Sequence, residues 1–181
     1  MRKRNFAIAA AVAALAAIPL SATSASATGS AGDVGMVNSN SGKCLAISGG
    51  VPTDAAPAIQ FDCHTDPDGS RALEQLWTWT KVSDEDSTYT IENKKTEKCL
   101  AIGGASHTLG AKAIQWTCES GHKEQQWVYD STGRLWNNES NLCLAIPEAS
   151  TANSIAAIQW TCEGVFDDPP HTEQQWSQNW A

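Results

Sequence analysis

The sequence is poor in several things, and each shortage narrows what it can be. It holds two methionines, three phenylalanines and two tyrosines against eight tryptophans, so indole must supply most of its aromatic surface. Basic side chains are scarce: 12 lysines and arginines face 20 acidic residues, a net charge of −8. Such a balance repels phosphate backbones and anionic lipid, which argues against nucleic acid and membrane surfaces as partners. No apolar run beyond Leu20 is long enough to cross a bilayer, and no long segment carries helical periodicity. There is no C-x-x-C, and the four histidines lack ligand spacing, which removes zinc and leaves no metal site to propose. G-x-S-x-G, H-E-x-x-H and a phosphate-cradling glycine loop are absent too, so the reading is of a non-enzyme without a cofactor.

The first residues read as a leader. Arg2, Lys3 and Arg4 precede an apolar run from Ala7 to Leu20, and Ala25-Ser26-Ala27 forms a cleavage site of A-x-A type. This predicts a signal peptide over 1–27, of bacterial appearance, a short linker over 28–32, and one domain over 33–181. Loss of the three basic leader residues takes the net charge from −8 to −11. Asn138-Glu139-Ser140 is a formal glycosylation sequon, expected to be unused in a bacterial protein.

All six cysteines lie beyond the leader, and an even count in an exported chain reads as disulfides. Their setting repeats. CLAI occurs at Cys44–Ile47, Cys99–Ile102 and Cys143–Ile146; a glutamine (Gln60, Gln115, Gln159) follows sixteen residues after each cysteine, and a second cysteine three residues later. Glu74–Trp77, Glu124–Trp127 and Glu173–Trp176 close the units, and Asn38, Asn93 and Asn137 each stand six residues before a CLAI cysteine. Three repeats, about 33–83, 84–131 and 132–181, therefore fill the domain. Pairing within each repeat, Cys44–Cys63, Cys99–Cys118 and Cys143–Cys162, is the economical choice; each loop of about 20 residues is worth roughly 3 kcal/mol in the chain-entropy model.

Period-two patterning places Leu45 with Ile47 on one strand face and Ile114 with Trp116 on another, with Gly, Pro, Ser, Asn and Asp clusters between such runs. The C-L-x-[IV] start, I-Q-x-x-C return and Q-x-W close, three times in tandem, resemble the ricin-type lectins, also known as family-thirteen carbohydrate-binding modules. The resemblance covers essentially the whole domain. It implies an all-β fold, a β-trefoil of twelve strands with pseudo-threefold symmetry, a six-stranded barrel capped by three hairpins, and disulfides inside the repeats. It also implies carbohydrate, on polysaccharide or glycoprotein, as the partner of a secreted protein.

Several residues become candidates on that basis. Trp77, Trp127 and Trp176 should meet in the core. Gln75, Gln125 and Gln174 should bond to backbone, and in the family this position also touches sugar. Gln60, Gln115 and Gln159 lie between apolar neighbours and are expected to face away from the core, supporting the binding site. Trp116 and Trp160 have two placements open: packed beside the core isoleucines, or turned out as platforms for sugar rings. Where the family commonly has a hydroxyl-binding aspartate, this chain has Ala46, Ala101 and Ala145, while Glu74, Glu124 and Glu173 place a carboxylate nearby. Either those glutamates take over, or the sites are altered, and a trefoil that binds or inhibits proteins is the alternative reading. His64, His107, His122 and His171 show no evident partner. Asp66–Gly69 reads as a turn, and Asp167–Pro170 as a stiff acidic loop tip. N-terminal sequencing of the exported protein should find Thr28 first; a product starting at Met1 would refute the leader.

Overall fold

The computed structural model describes residues 31–83, 87–164 and 171–178; the expected leader and the Asp167–Pro170 loop tip lie outside them. Short strands and tight turns dominate, as the turn-rich sequence requires. The strands are β1 (Ala31–Gly35), β2 (Val37–Asn38), β3 (Cys44–Ile47), β4 (Ala58–Phe61), β5 (Leu76–Lys81), β6 (Thr88–Asn93) and β7 (Cys99–Ile102). They continue as β8 (Ala113–Trp116), β9 (Gln126–Tyr129), β10 (Leu135–Asn137), β11 (Cys143–Ala145), β12 (Ile155–Ala156), β13 (Ile158–Trp160) and β14 (Trp176–Ser177). One residue, Met36, interrupts β1–β2, and one, Ala157, interrupts β12–β13; joining each pair turns fourteen strands into the twelve of a trefoil. Among the described residues no helix is long and apolar enough to cross a membrane.

Six of the twelve form a barrel. β1 pairs with β5, β5 with β6, β6 with β9, β9 with β10, and β14 returns to β2. The last gap is closed by the Arg134–Gln175 bridge and by Trp176 N donating to Gly133 O at 2.7 Å. Gly133 has φ +86°, and a Cβ there would sit 3.2 Å from Trp176 O, so this closure needs glycine. The remaining hairpins, β3–β4, β7–β8 and β11–β13, cap the barrel and meet one another through Ile155–Gln60, Pro57–Ile114 and Lys112–Ile158 contacts.

Inside, the pattern resolves into a division of labour. Leu45, Leu100 and Leu144 are fully buried with Ile47, Ile102 and Ile146, and Trp77, Trp127 and Trp176 pack against them. Each indole N–H donates to the leucine carbonyl of its own CLAI, at 2.8 to 3.1 Å, so a large apolar ring is buried with its polar atom satisfied. The three disulfides join Cys44–Cys63, Cys99–Cys118 and Cys143–Cys162, as the spacing predicts.

The repeats are held to each other by buried amides. Asn38, Asn93 and Asn137 are wholly buried. Each accepts at Oδ1 from the backbone two and three residues on, closing a tight turn. Each then donates from Nδ2 to a carbonyl of the preceding repeat: Asn93 to Glu74 O at 2.9 Å, Asn137 to Glu124 O at 2.8 Å, Asn38 to Glu173 O at 2.9 Å. Replacing Asn93 by alanine strands a buried carbonyl and several donors, and should cost about 2–3 kcal/mol. Urea unfolding checks this; a midpoint unchanged from wild type would show that the amide does not bind the repeats together.

Candidate functional site

The glutamines of the I-Q-x-x-C turn correct one expectation. Gln60, Gln115 and Gln159 do not face outward; all three are fully buried. Each sits opposite the core leucine of its hairpin, at Leu45–Gln60, Leu100–Gln115 and Leu144–Gln159. Burial is possible because every polar atom is satisfied. Gln115 Nε2 donates to Val51 O and Thr53 O, both at 2.7 Å, and its Oε1 accepts from Thr96 Oγ1 at 2.6 Å. Gln60 bonds Ser150 O and Ala152 O in the same way, and Gln159 bonds Ser106 O and Thr108 O. The carbonyls again belong to the preceding repeat.

Turning the glutamine inward turns its neighbours outward. Ile114 and Trp116 do share a side, as their parity requires, but it is the outer side. Trp116 is 40% and Trp160 41% exposed, so both rings are turned outward and not packed in the core. Ala46, Ala101 and Ala145 stand opposite Ile59, Ile114 and Ile158 across each hairpin. These pairs form the apolar floors of three surface cavities, one per repeat.

The third-repeat cavity is the largest, about 600 Å³, against about 240 Å³ for the second and 300 Å³ for the first. Ala145 and Ile158 floor it, Trp160 stands at one side, and Pro147, Glu148 and Ala149 form a rim. Glu173, Gln174 and His171 line it as well, with Gln174 Nε2 donating to Thr161 O, next to Trp160, at 2.9 Å. The second cavity repeats this plan with Ala101, Ile114, Trp116, Glu124, Gln125 and His122; the first has Phe61 in place of the indole, with Glu74, Gln75 and His64. The third rim is strained: Glu148 has φ 56°, a left-handed conformation that glycine occupies at Gly49 and Gly104.

Gln75, Gln125 and Gln174 are the structural bonds expected of them. Gln125 accepts at Oε1 from Glu119 N at 2.9 Å and donates to Thr117 O at 3.0 Å, with matching pairs at Gln75 and Gln174. They pin the loop after the second cysteine while lining the cavities. Asp66–Gly69 is a turn, closed by Gly69 N to Asp66 O at 2.9 Å.

The histidines are not isolated. In all three cavities a histidine meets the glutamate of the closing motif: His64 Nε2 to Glu74 at 3.3 Å, His122 Nδ1 to Glu124 at 2.8 Å, His171 Nδ1 to Glu173 at 3.1 Å. His107 pairs with Glu139 at 3.2 Å. The Glu124 hydrogen bond outweighs desolvation and, with the charges of Glu124 and Glu119, holds His122 above its ordinary value of 6.5. The pairs fix the carboxylates, which are only 15 to 19% exposed, at the cavity walls. Glu92, Cys99 and Cys118 also come together, but both sulfurs belong to a disulfide, so this is no metal site.

The arrangement, an exposed indole and a carboxylate lining one cavity with an apolar floor, suits a ligand with one apolar face and several hydroxyls. The designed threefold-symmetric protein ThreeFoil superposes with a TM-score of 0.69 at 27% identity, covering 81% of this chain and 96% of that one. A second likeness, TM-score 0.66 at 25% identity, is to 1,3Gal43A, an exo-β-1,3-galactanase from Clostridium thermocellum; 80% of this chain matches 29% of that one. The C-terminal half of an earthworm R-type lectin, in complex with GalNAc, shares the fold at TM-score 0.60 and 14% identity, over 80% of this chain and 95% of that one. No curated protein matches significantly. The sequence pattern of the ricin-type beta-trefoil lectin domain matches residues 33–177, and the chain belongs to that family.

Proposed function

We propose that the protein is a secreted carbohydrate-binding module with no catalytic step, and that the third repeat carries its principal site. The observation that supports this most is the half-exposed indole of Trp160, which lines the same cavity of about 600 Å³ as the Glu173 carboxylate. A pyranose ring laid on the indole presents its hydroxyl edge to Glu173, where charge-assisted hydrogen bonds form. Glu173 thus takes the part that an aspartate at position 145 would otherwise play. The second repeat offers the same pair in Trp116 and Glu124 over a smaller floor. On a polysaccharide or multiantennary glycan, two weak sites on one rigid body act together through effective concentration.

The protein-interaction reading has one observation in its favour. Ala46, Ala101 and Ala145 leave the cavity floors apolar, and an apolar floor accepts a side chain as readily as a sugar face. Competition separates the two: a protein partner displaced by free sugar belongs to the first reading.

Titration against a panel of glycans and plant, fungal and bacterial polysaccharides tests the proposal, with Trp160→Ala as the control. Loss of a stacked ring should weaken binding about tenfold or more. Failure of the folded protein to bind any panel member, or full binding by a protein lacking both Trp116 and Trp160, would contradict the assignment. The second site also has a pH signature. The folded protein holds the His122 proton more tightly than the unfolded chain, so this pair favours the fold below about pH 6.5 and stops doing so as pH rises through the folded value. Glu124→Gln should lower the His122 midpoint in an NMR titration; an unchanged midpoint would show that Glu124 does not hold the ring.

A further inference from the structure

The three cavities share a plan but not a charge, and one position adds to the difference that their glutamates make. Because each buried asparagine bonds to the glutamate turn of the preceding repeat, the residue two positions further on is carried toward that repeat. Those residues are Asn40, Lys95 and Glu139. Asn40 lines the third cavity and donates from Nδ2 to Ala149 O at 2.8 Å. Glu139 meets His107, two residues beyond Ala105 on the rim of the second cavity, at 3.2 Å. Lys95 reaches two residues that line the first cavity, Glu74 and Gly50: its Nζ is 3.2 Å from Glu74 Oε2. Its stem lies over Gly50, the counterpart of Ala149, so closely that a Cβ on Gly50 would stand 2.8 Å from Nζ and 2.9 Å from Cδ and Cε.

The consequence for the carboxylates is unequal. Burial raises the Glu74 carboxyl, but its own backbone N–H, Lys95 and the nearby His64 together hold it below the usual range. Glu74 therefore already has a cation on one oxygen and a histidine on the other. Among the described residues no lysine or arginine lines the third cavity, where Glu173 pairs with His171 and shares the lining with Trp160. The first cavity also lacks the indole, so the repeat whose carboxylate is engaged is the one with the poorer platform.

We infer that the position two residues after each buried asparagine is a specificity position that one repeat contributes to its neighbour's site, and that Lys95 closes the first site by engaging Glu74 and covering Gly50. This rests on the sugar-binding reading above. A ligand entering the first site must displace the lysine from both; at the third, Asn40 leaves Glu173 open and braces the rim. One chain thus carries one open site, one intermediate site and one that closes upon itself.

The test is an NMR titration of the wild-type protein and K95N, which installs the counterpart of Asn40. The probes are the methyl glycosides of galactose, glucose, mannose and xylose. The Trp160 indole N–H reports the third site, and the Gly49 and Gly50 amides report the first. In wild type, Trp160 should shift and saturate while Gly49 and Gly50 do not. In K95N the glycine amides should also saturate, with apparent affinity at the first site raised by up to about fivefold, the scale on which a partly exposed ion pair competes, and Trp160 should respond as before. The reciprocal N40K should weaken the Trp160 response by a similar factor. A first site that responds equally in wild type and K95N, or stays silent in K95N while Trp160 saturates, overturns the inference and leaves the proposed function standing. Silence at Trp160 with all four glycosides, matched by silence at Gly49 and Gly50 in K95N, overturns both.

Discussion

Six buried side-chain amides, one asparagine and one glutamine per repeat, tie the three repeats together alongside the barrel pairs β5–β6, β9–β10 and β14–β2. Asn38, Asn93, Asn137, Gln60, Gln115 and Gln159 have no exposed surface, yet none satisfies its N–H groups within its own repeat. Every Nδ2 and Nε2 donates to main-chain carbonyls of the repeat before it, and the first repeat donates to the third, so the bonds run in one direction around a closed circle. An isolated repeat would bury amides with nothing to bond, or leave them wet and forgo the core beneath them. Three copies are thus the smallest set in which every amide is satisfied, and the tryptophan core and within-repeat disulfides stabilise a structure whose register the amides define.

The same circle aims the cavities. The carbonyl that each asparagine takes belongs to the glutamate of the closing motif, so the backbone carrying Glu74, Glu124 and Glu173 is fixed from behind. The glutamine beside it ties down the loop that follows the second cysteine, and in the second and third repeats the histidine two residues earlier holds the carboxylate from the front. Meanwhile the inward glutamine of each hairpin forces the next residue outward, which exposes Trp116 and Trp160. Indole and carboxylate are both placed by packing that exists before any ligand arrives, the preorganisation that a shallow site needs to bind at all. The alanine of CLAI then has a plain role: it is the methyl floor opposite an isoleucine, where a carboxylate would have made the floor polar.

Much of this was legible in the residues. The repeat length, the disulfide pairing, the inward leucine and isoleucine of CLAI and the buried closing tryptophans follow from spacing and period-two alternation. Parity also showed that Ile114 and Trp116 share a side. It did not show which side, because a glutamine between apolar neighbours reads as solvent-facing unless its amide has partners, and the partners of Gln115 are Val51 O and Thr53 O, more than sixty residues away. The histidine–glutamate pairs were hidden for a different reason. His122–Glu124 and His171–Glu173 are two residues apart, a spacing that separates side chains on a helix and leaves them a full pleat apart on one strand face, and here the residue before a single 3-10 turn bends back to meet the glutamate. His64 reaches Glu74 from a separate loop, and Lys95 reaches it from the next repeat, so only the closed trefoil brings the three together.

The most direct test of the account is a crystal structure of the protein soaked with its best-binding panel sugar. The account predicts a pyranose ring stacked on Trp160, with at least one hydroxyl within hydrogen-bonding distance of Glu173 and the amide circle unchanged. Sugar bound elsewhere, with the Trp160 cavity empty at saturating ligand, would contradict it.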